Sequence, residues 1–246
     1  MIRFGFLVVT SALVMSAFSV FAQRKVVFPS KDGLTITADL YETDANNPWI
    51  VLFHQANSSR GEFRDIAARL NKLEMNCMAV DLRSGKEKNF RVNETAYLAK
   101  EANLPHDFID SEQDMVAAIE RAYGIGKRPV IILGSSYSAS LALKLAKERK
   151  EVKAVIAFSP GEFFEKELNV QQAISGLNKP TFVACAASEK KWVAELISGI
   201  PEGKRIFYMP AKGGAHGAKC LMRDTEGQTE YWIQLINFLQ TLKKDS

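Results

Sequence analysis

Three side chains in this sequence have the types needed for nucleophilic acyl transfer: Ser136, Glu189 and His216. Ser136 is the centre of Gly134-Ser135-Ser136-Tyr137-Ser138, which follows the apolar run PVIIL and precedes an Ala-rich stretch. A serine on a sharp strand-to-helix turn has its hydroxyl lifted clear of the sheet. Such a turn needs small residues two positions to either side, and Gly134 and Ser138 supply them. Moving the nucleophile to Ser135 would put Leu133 in the tight position. The competing role for Ser136 is a helix N-cap, which serine also fills well.

A serine hydroxyl is a weak nucleophile without an adjacent base. The sequence has 3 histidines, at 54, 106 and 216. His216 lies in Lys212-Gly213-Gly214-Ala215-His216-Gly217, directly after the last apolar run, where small neighbours let an imidazole swing over the edge of a sheet. His54 closes the run WIVLF and suits ordering of the turn that follows it; His106 lies in an irregular polar stretch. The acid that orients the imidazole is expected at the end of another strand. The first carboxylate after PTFVACA is Glu189, with Asp81 and Glu162 in reserve. The plainer alternative for Glu189 is a solvated residue opening the next helix.

The turn His54-Gln55-Ala56 can aim a backbone N–H at a developing oxyanion, beside the N–H of the residue after the nucleophile. Ala56 and Tyr137 are therefore the expected donors. Gln55 and Tyr137 are the expected substrate contacts, with Phe163 and the 83–106 stretch as further pocket walls.

The elements that must position these groups follow from hydrophobic periodicity. Strands are expected at Lys25–Phe28, Leu34–Tyr41, Trp49–His54, Cys77–Val80, Pro129–Leu133, Ala154–Phe158, Thr181–Ala186 and Arg205–Met209. Between them, helical spacing marks Arg60–Leu73, Ser111–Tyr123, Ser136–Lys150, Trp192–Ile200 and Thr229–Leu242. This alternation predicts an α/β fold: an eight-stranded, mostly parallel sheet with helices on both faces, its first two strands antiparallel. Arg83–His106 reads as an irregular loop too long for a routine connection. Pro160–Asn178 reads as short and partly helical, with little room for a lid.

The 246 residues are 47% hydrophobic and 24% charged, ordinary for one globular domain. The net charge of +4 is spread without a basic stripe, which gives no support to nucleic-acid binding. Residues 1–22 read as a cleaved secretory signal: Arg3, an uncharged run from Phe4 to Phe21, and Val20-Phe21-Ala22 before the cleavage point. An uncleaved anchor is the rival. The expected product is a domain spanning 23–246, periplasmic or secreted, without stable membrane insertion. The 3 cysteines, at 77, 185 and 220, leave at least one thiol free and have no metal-ligand spacing.

HQANSSRGEF, GSSYSAS, PTFVACAASE and GGAHG, taken in order, resemble the oxyanion strand, nucleophile elbow, acid strand and histidine loop of the α/β-hydrolase superfamily. The resemblance covers about residues 25–243 and is strongest to small, lidless members related to dienelactone hydrolases and bacterial carboxylesterases. It implies a serine carboxylesterase that needs no cofactor and acts on small-molecule esters through a Ser136–His216–Glu189 triad. Three departures stand out: Ser138 replaces the usual glycine, the acid is Glu, and the nucleophile is Ser where dienelactone hydrolases proper use Cys. Two other readings stay open, a non-catalytic exported binding protein on this scaffold and a peptidase or amidase.

Overall fold

The structure, a computed structural model, describes residues 23–244. The expected signal segment, 1–22, lies outside them. A single sheet of eight strands runs through the molecule in the order β1-β2-β4-β3-β5-β6-β7-β8. The strands are β1 (Gln23–Pro29), β2 (Thr35–Tyr41), β3 (Trp49–Phe53), β4 (Asn76–Val80), β5 (Val130–Ser135), β6 (Val152–Phe158), β7 (Thr181–Ala184) and β8 (Arg205–Tyr208). The pairs β1–β2 and β2–β4 are antiparallel, and all the others are parallel. The order doubles back between β4 and β5, so the parallel strands from β3 to β8 present their C-terminal ends along one edge. Ligands of open α/β sheets bind at that edge.

β3 is apolar at every position, and β5 as far as Leu133, because both faces of the sheet are covered. Along β3, Trp49, Val51 and Phe53 enter one hydrophobic layer, and Ile50 and Leu52 enter the other. In β5, Val130 and Ile132 alternate with Ile131 and Leu133 in the same way. The first layer is closed by α2 (Glu94–Glu101), α3 (Ser111–Gly126), α4 (Tyr137–Glu148), α5 (Val170–Ile174) and α6 (Lys190–Leu196). The second is closed by α1 (Arg64–Asn71) and α7 (Gln228–Lys244), whose Tyr231, Trp232, Leu235, Phe238 and Leu239 are buried. Among the described residues no helix is long and apolar enough to cross a membrane.

Two expectations need correction. The Arg83–His106 stretch contains α2, a short helix started by the Asn93 side chain, which accepts from the Ala96 amide at 2.8 Å. Its single buried stripe, Thr95, Ala96 and Ala99, is too short and too weakly apolar to stand out from periodicity. The stretch is also anchored at its start: Arg83 is fully buried and bonded to Asp114 (2.7 Å) and Asp32 (2.8 Å). The second correction concerns the helix expected from Arg60, whose first turn is a 3-10 turn (Arg60–Phe63).

Candidate active site

β5 ends at Ser135, and the next residue breaks the strand. Ser136 has φ 63° and ψ −126°, a conformation costly for any residue with a Cβ and tolerated only where the surroundings enforce it. Three contacts enforce it here. The Ser136 amide donates to the Phe158 carbonyl of β6 at 2.8 Å. The Ser138 hydroxyl accepts from the Ser135 amide (2.9 Å) and donates to the Phe53 carbonyl at the end of β3 (2.8 Å). Gly134 lets α4 fold back onto the strand: a Cβ there would lie 2.4 Å from the Ser138 carbonyl oxygen and 2.5 Å from the Ala139 Cα. Ser138 thus replaces the usual glycine with a latch. The strain also fixes where α4 starts, at Tyr137 and not at Ser136.

Ser136 Oγ is 2.8 Å from Nε2 of His216, and Nδ1 of His216 is 2.5 Å from Oε1 of Glu189. A carboxylate on Nδ1 sets the tautomer, so Nε2 is the acceptor facing the serine hydroxyl. Glu189 is buried, whereas the His216 side chain is 47% exposed. Burial pushes the Glu189 carboxyl up, but hydrogen bonds from His216, Ser159 and the Ala186 amide outweigh it and hold the group below its ordinary value. An imidazole held this way can take the Ser136 proton while an ionised acid stabilises the resulting charge.

Sequence reasoning missed Ser159, which stands at the end of β6 with φ 51°. Its hydroxyl donates to Oε2 of Glu189 (2.6 Å) and accepts from the Gly217 amide (2.9 Å), so one group joins the acid to the histidine loop. The only trace in the sequence is a polar residue straight after the apolar run VIAF. Ser135 makes a parallel link, accepting from the Ala218 amide at 2.8 Å. Gly217 has φ 68°, and a Cβ there would lie 2.6 Å from Ser135 Oγ and 2.7 Å from Gln55 Oε1. Only glycine allows that approach.

The turn after β3 is fixed from two sides. His54 is buried; its Nε2 accepts from the Leu82 amide (2.9 Å), which leaves Nδ1 to donate to the Gln55 carbonyl (2.8 Å). Burial drives His54 down to about 4, partly opposed by that bond, so the ring is neutral and orders the turn. The Gln55 amide donates to Oε2 of buried Glu62 at 3.1 Å. Burial raises the Glu62 carboxyl. With the Gln55 N–H occupied, the next one, of Ala56, has no acceptor among the described residues. The Tyr137 N–H opens α4, where no preceding turn can take it.

The remaining candidates lie elsewhere. The Tyr137 ring is a correction: it is fully buried, stacked on Phe108 at 4.4 Å, and its hydroxyl is bonded to Ser84 at 2.6 Å, so no substrate reaches it. An N-terminal helical side chain leans back toward the core here because α4 packs closely on the sheet. Gln55 is half-buried, with Oε1 enclosed and unbonded beside Gly217. His106 is exposed and bonded to the Leu104 carbonyl. Asp81 is spent on the Arg60 amide and guanidinium, and Glu162 accepts from the Val170 and Gln171 amides that begin α5. Among the described residues no cluster of His, Cys, Asp or Glu could hold a metal ion.

No protein-family model and no curated protein matches this sequence. Solved structures do resemble it. An esterase of Pyrococcus furiosus superposes with a TM-score of 0.67 at 15% identity, over 90% of this chain and 91% of that one. A dienelactone hydrolase of Anabaena variabilis gives 0.68 at 15%, over 89% and 97%. An α/β hydrolase from a Penicillium species gives 0.67 at 12%, over 89% and 98%. The chain has the α/β-hydrolase fold. In an α/β-hydrolase sheet the nucleophile elbow follows a central strand, with triad members in the order Ser, acid, His. Here Ser136 follows β5, Glu189 follows β7 and His216 follows β8, the same order along the same edge.

Proposed function

We propose that this protein is an exported serine hydrolase that cleaves carboxylic esters of small molecules through an acyl-enzyme. The observation that carries the reading is the unbroken chain from Ser136 Oγ to His216 (2.8 Å) to Glu189 (2.5 Å), on a serine held in a strained turn. His216 takes the hydroxyl proton as Ser136 attacks the ester carbonyl. The Ala56 and Tyr137 amides receive the oxyanion, and His216 returns the proton to the departing alkoxide. Water, deprotonated by the same imidazole, then releases the acid and regenerates Ser136.

The esterase and hydrolase names of the structural neighbours support an ester bond as the target. Export rests on the sequence of residues 1–22 and is tested by the mature N-terminus of the secreted or periplasmic protein, which should begin at Gln23. A fluorophosphonate probe should label the wild type at Ser136 and leave Ser136→Ala unlabelled. Equal labelling of both would remove the assignment, and no labelling of either would leave a binding protein on a hydrolase scaffold.

A further inference from the structure

Two large aromatic side chains stand exposed at the same edge of the sheet as Ser136, and neither the core nor the reaction accounts for them. Trp192, 53% exposed, lies one helical turn beyond Glu189 at the start of α6. Phe163, 36% exposed, lies four residues beyond Ser159 in the connection after β6. Both line a groove of about 450 Å³, together with Gly161, Gln171 and Leu196. The Phe163 side of it is rigid. Gly161 is bound through both its amide (2.9 Å) and its carbonyl (2.7 Å) to the Ser140 hydroxyl, one turn into α4 from Ser136. The Phe163 ring lies so close over Gly161 that a Cβ there would meet it at 2.9 Å.

The charge of this groove is one-sided. Its ionisable lining residues are Glu162 and Glu195, and no cation contributes to it. Glu162 is committed to the start of α5, whereas the Glu195 carboxylate has no partner among the described residues. Two aromatic side chains beside a free carboxylate attract a flat ring, more so if it is cationic, and disfavour an anion. We infer that the groove between Phe163 and Trp192 is the specificity subsite for an aromatic group of the ester, and that it rejects substrates carrying a carboxylate there. This rests on the proposed esterase reading and adds the substrate class to it.

Binding is read apart from turnover. Trp49 and Trp232 are buried, so Trp192 dominates the emission that a bound ligand can reach. In Ser136→Ala, methyl phenylacetate should shift or quench that emission at lower concentration than methyl cyclohexylacetate. The monomethyl ester carrying a para-carboxylate should need at least tenfold more, and Glu195→Gln should narrow that gap. In the active enzyme, Trp192→Ala and Phe163→Ala should each lower the ratio of kcat/KM for methyl phenylacetate over methyl acetate about tenfold, chiefly through KM, the scale of one aromatic contact. Equal affinity for the phenyl and cyclohexyl esters, with that ratio constant across the variants, overturns the subsite and leaves the esterase intact. Ring-selective quenching without fluorophosphonate labelling retains the subsite and removes the esterase.

Discussion

Compare the segment that leaves β4 with the loop that leaves β8. Both start at the same edge of the sheet, and both pack beside the turn after β3. The first is held by buried charge. Arg60 reaches Asp81, Asp39 (3.2 Å) and Glu94 (2.8 Å), and Arg83 reaches Asp114 and Asp32, with both guanidinium groups out of solvent. The second is held by hydroxyls and amides: Gly217 on Ser159, Ala218 on Ser135, and the Gly213 carbonyl taken by the Ala187 amide at 2.9 Å. Among the described residues its one contact to a charged group is the hydrogen bond between His216 Nδ1 and the Glu189 carboxylate. The difference separates stability from chemistry. Neutral supports leave the Glu189 carboxylate as the charged group in contact with the imidazole, while the arginine clusters hold the scaffold away from the reacting atoms.

Changes in the second region should therefore cost activity, and changes in the first should cost stability. The largest expected effect is Ser136→Ala, which should lower kcat by about four to six orders of magnitude with a melting temperature close to wild type. A fall in melting temperature as large as that of an arginine variant would break the distinction. Next is Arg83→Ala, which strands Asp114 without its buried partner; urea titration should show a loss of about 3–5 kcal/mol with kcat per folded molecule retained.

The third effect is a pH dependence. His54 titrates near 4 when folded against 6.5 when exposed, so the unfolded chain binds the extra proton between those values. Stability from this group is complete above about 6.5 and is lost as pH falls toward 4, by about 3 kcal/mol. Asp81 and Asp114, pushed by burial up to about 6 against the pull of their arginines, act in the opposite sense over an overlapping range. Urea titrations of His54→Gln and wild type across pH 4–7 isolate the histidine contribution as a difference: the wild type should lose about 3 kcal/mol relative to the variant as pH falls from 6.5 toward 4, and parallel profiles would refute it. The smallest effect is Ser159→Ala, which removes one hydrogen bond to the Glu189 carboxylate and should lower kcat/KM about tenfold with little change in melting temperature.

Most of the scaffold was legible because buried parallel strands have a plain signature. WIVLF, PVIIL and VIAF each announce themselves without reference to anything distant, and the order of Ser136, Glu189 and His216 follows once the strands are placed. What was not legible depends on partners far away in the chain. Arg83 looks like a solvated residue until Asp32 and Asp114 converge on it, from 51 and 31 positions away. Ser159 gains meaning only when the loops after β7 and β8 fold against it. The burial of Tyr137 is hidden for a related reason: periodicity shows that it begins a helix but not which side of the helix the sheet will cover.

The three thiols offer a use that follows from their placement. Cys77, Cys185 and Cys220 are all unpaired and buried, and burial pushes Cys185 up to about 12 and the other two upward as well. None can react with an alkylating reagent while its surroundings stay closed, since the thiolate is the reactive form. They sit in β4, just after β7, and in the 3-10 turn after His216, so each watches a different part of the fold. Pulse alkylation at rising urea, read by mass, would record the sequence in which those parts come open. Cys220 modified well before Cys77 would mean that the histidine loop breathes on its own, and simultaneous modification would mean that the molecule opens as one unit.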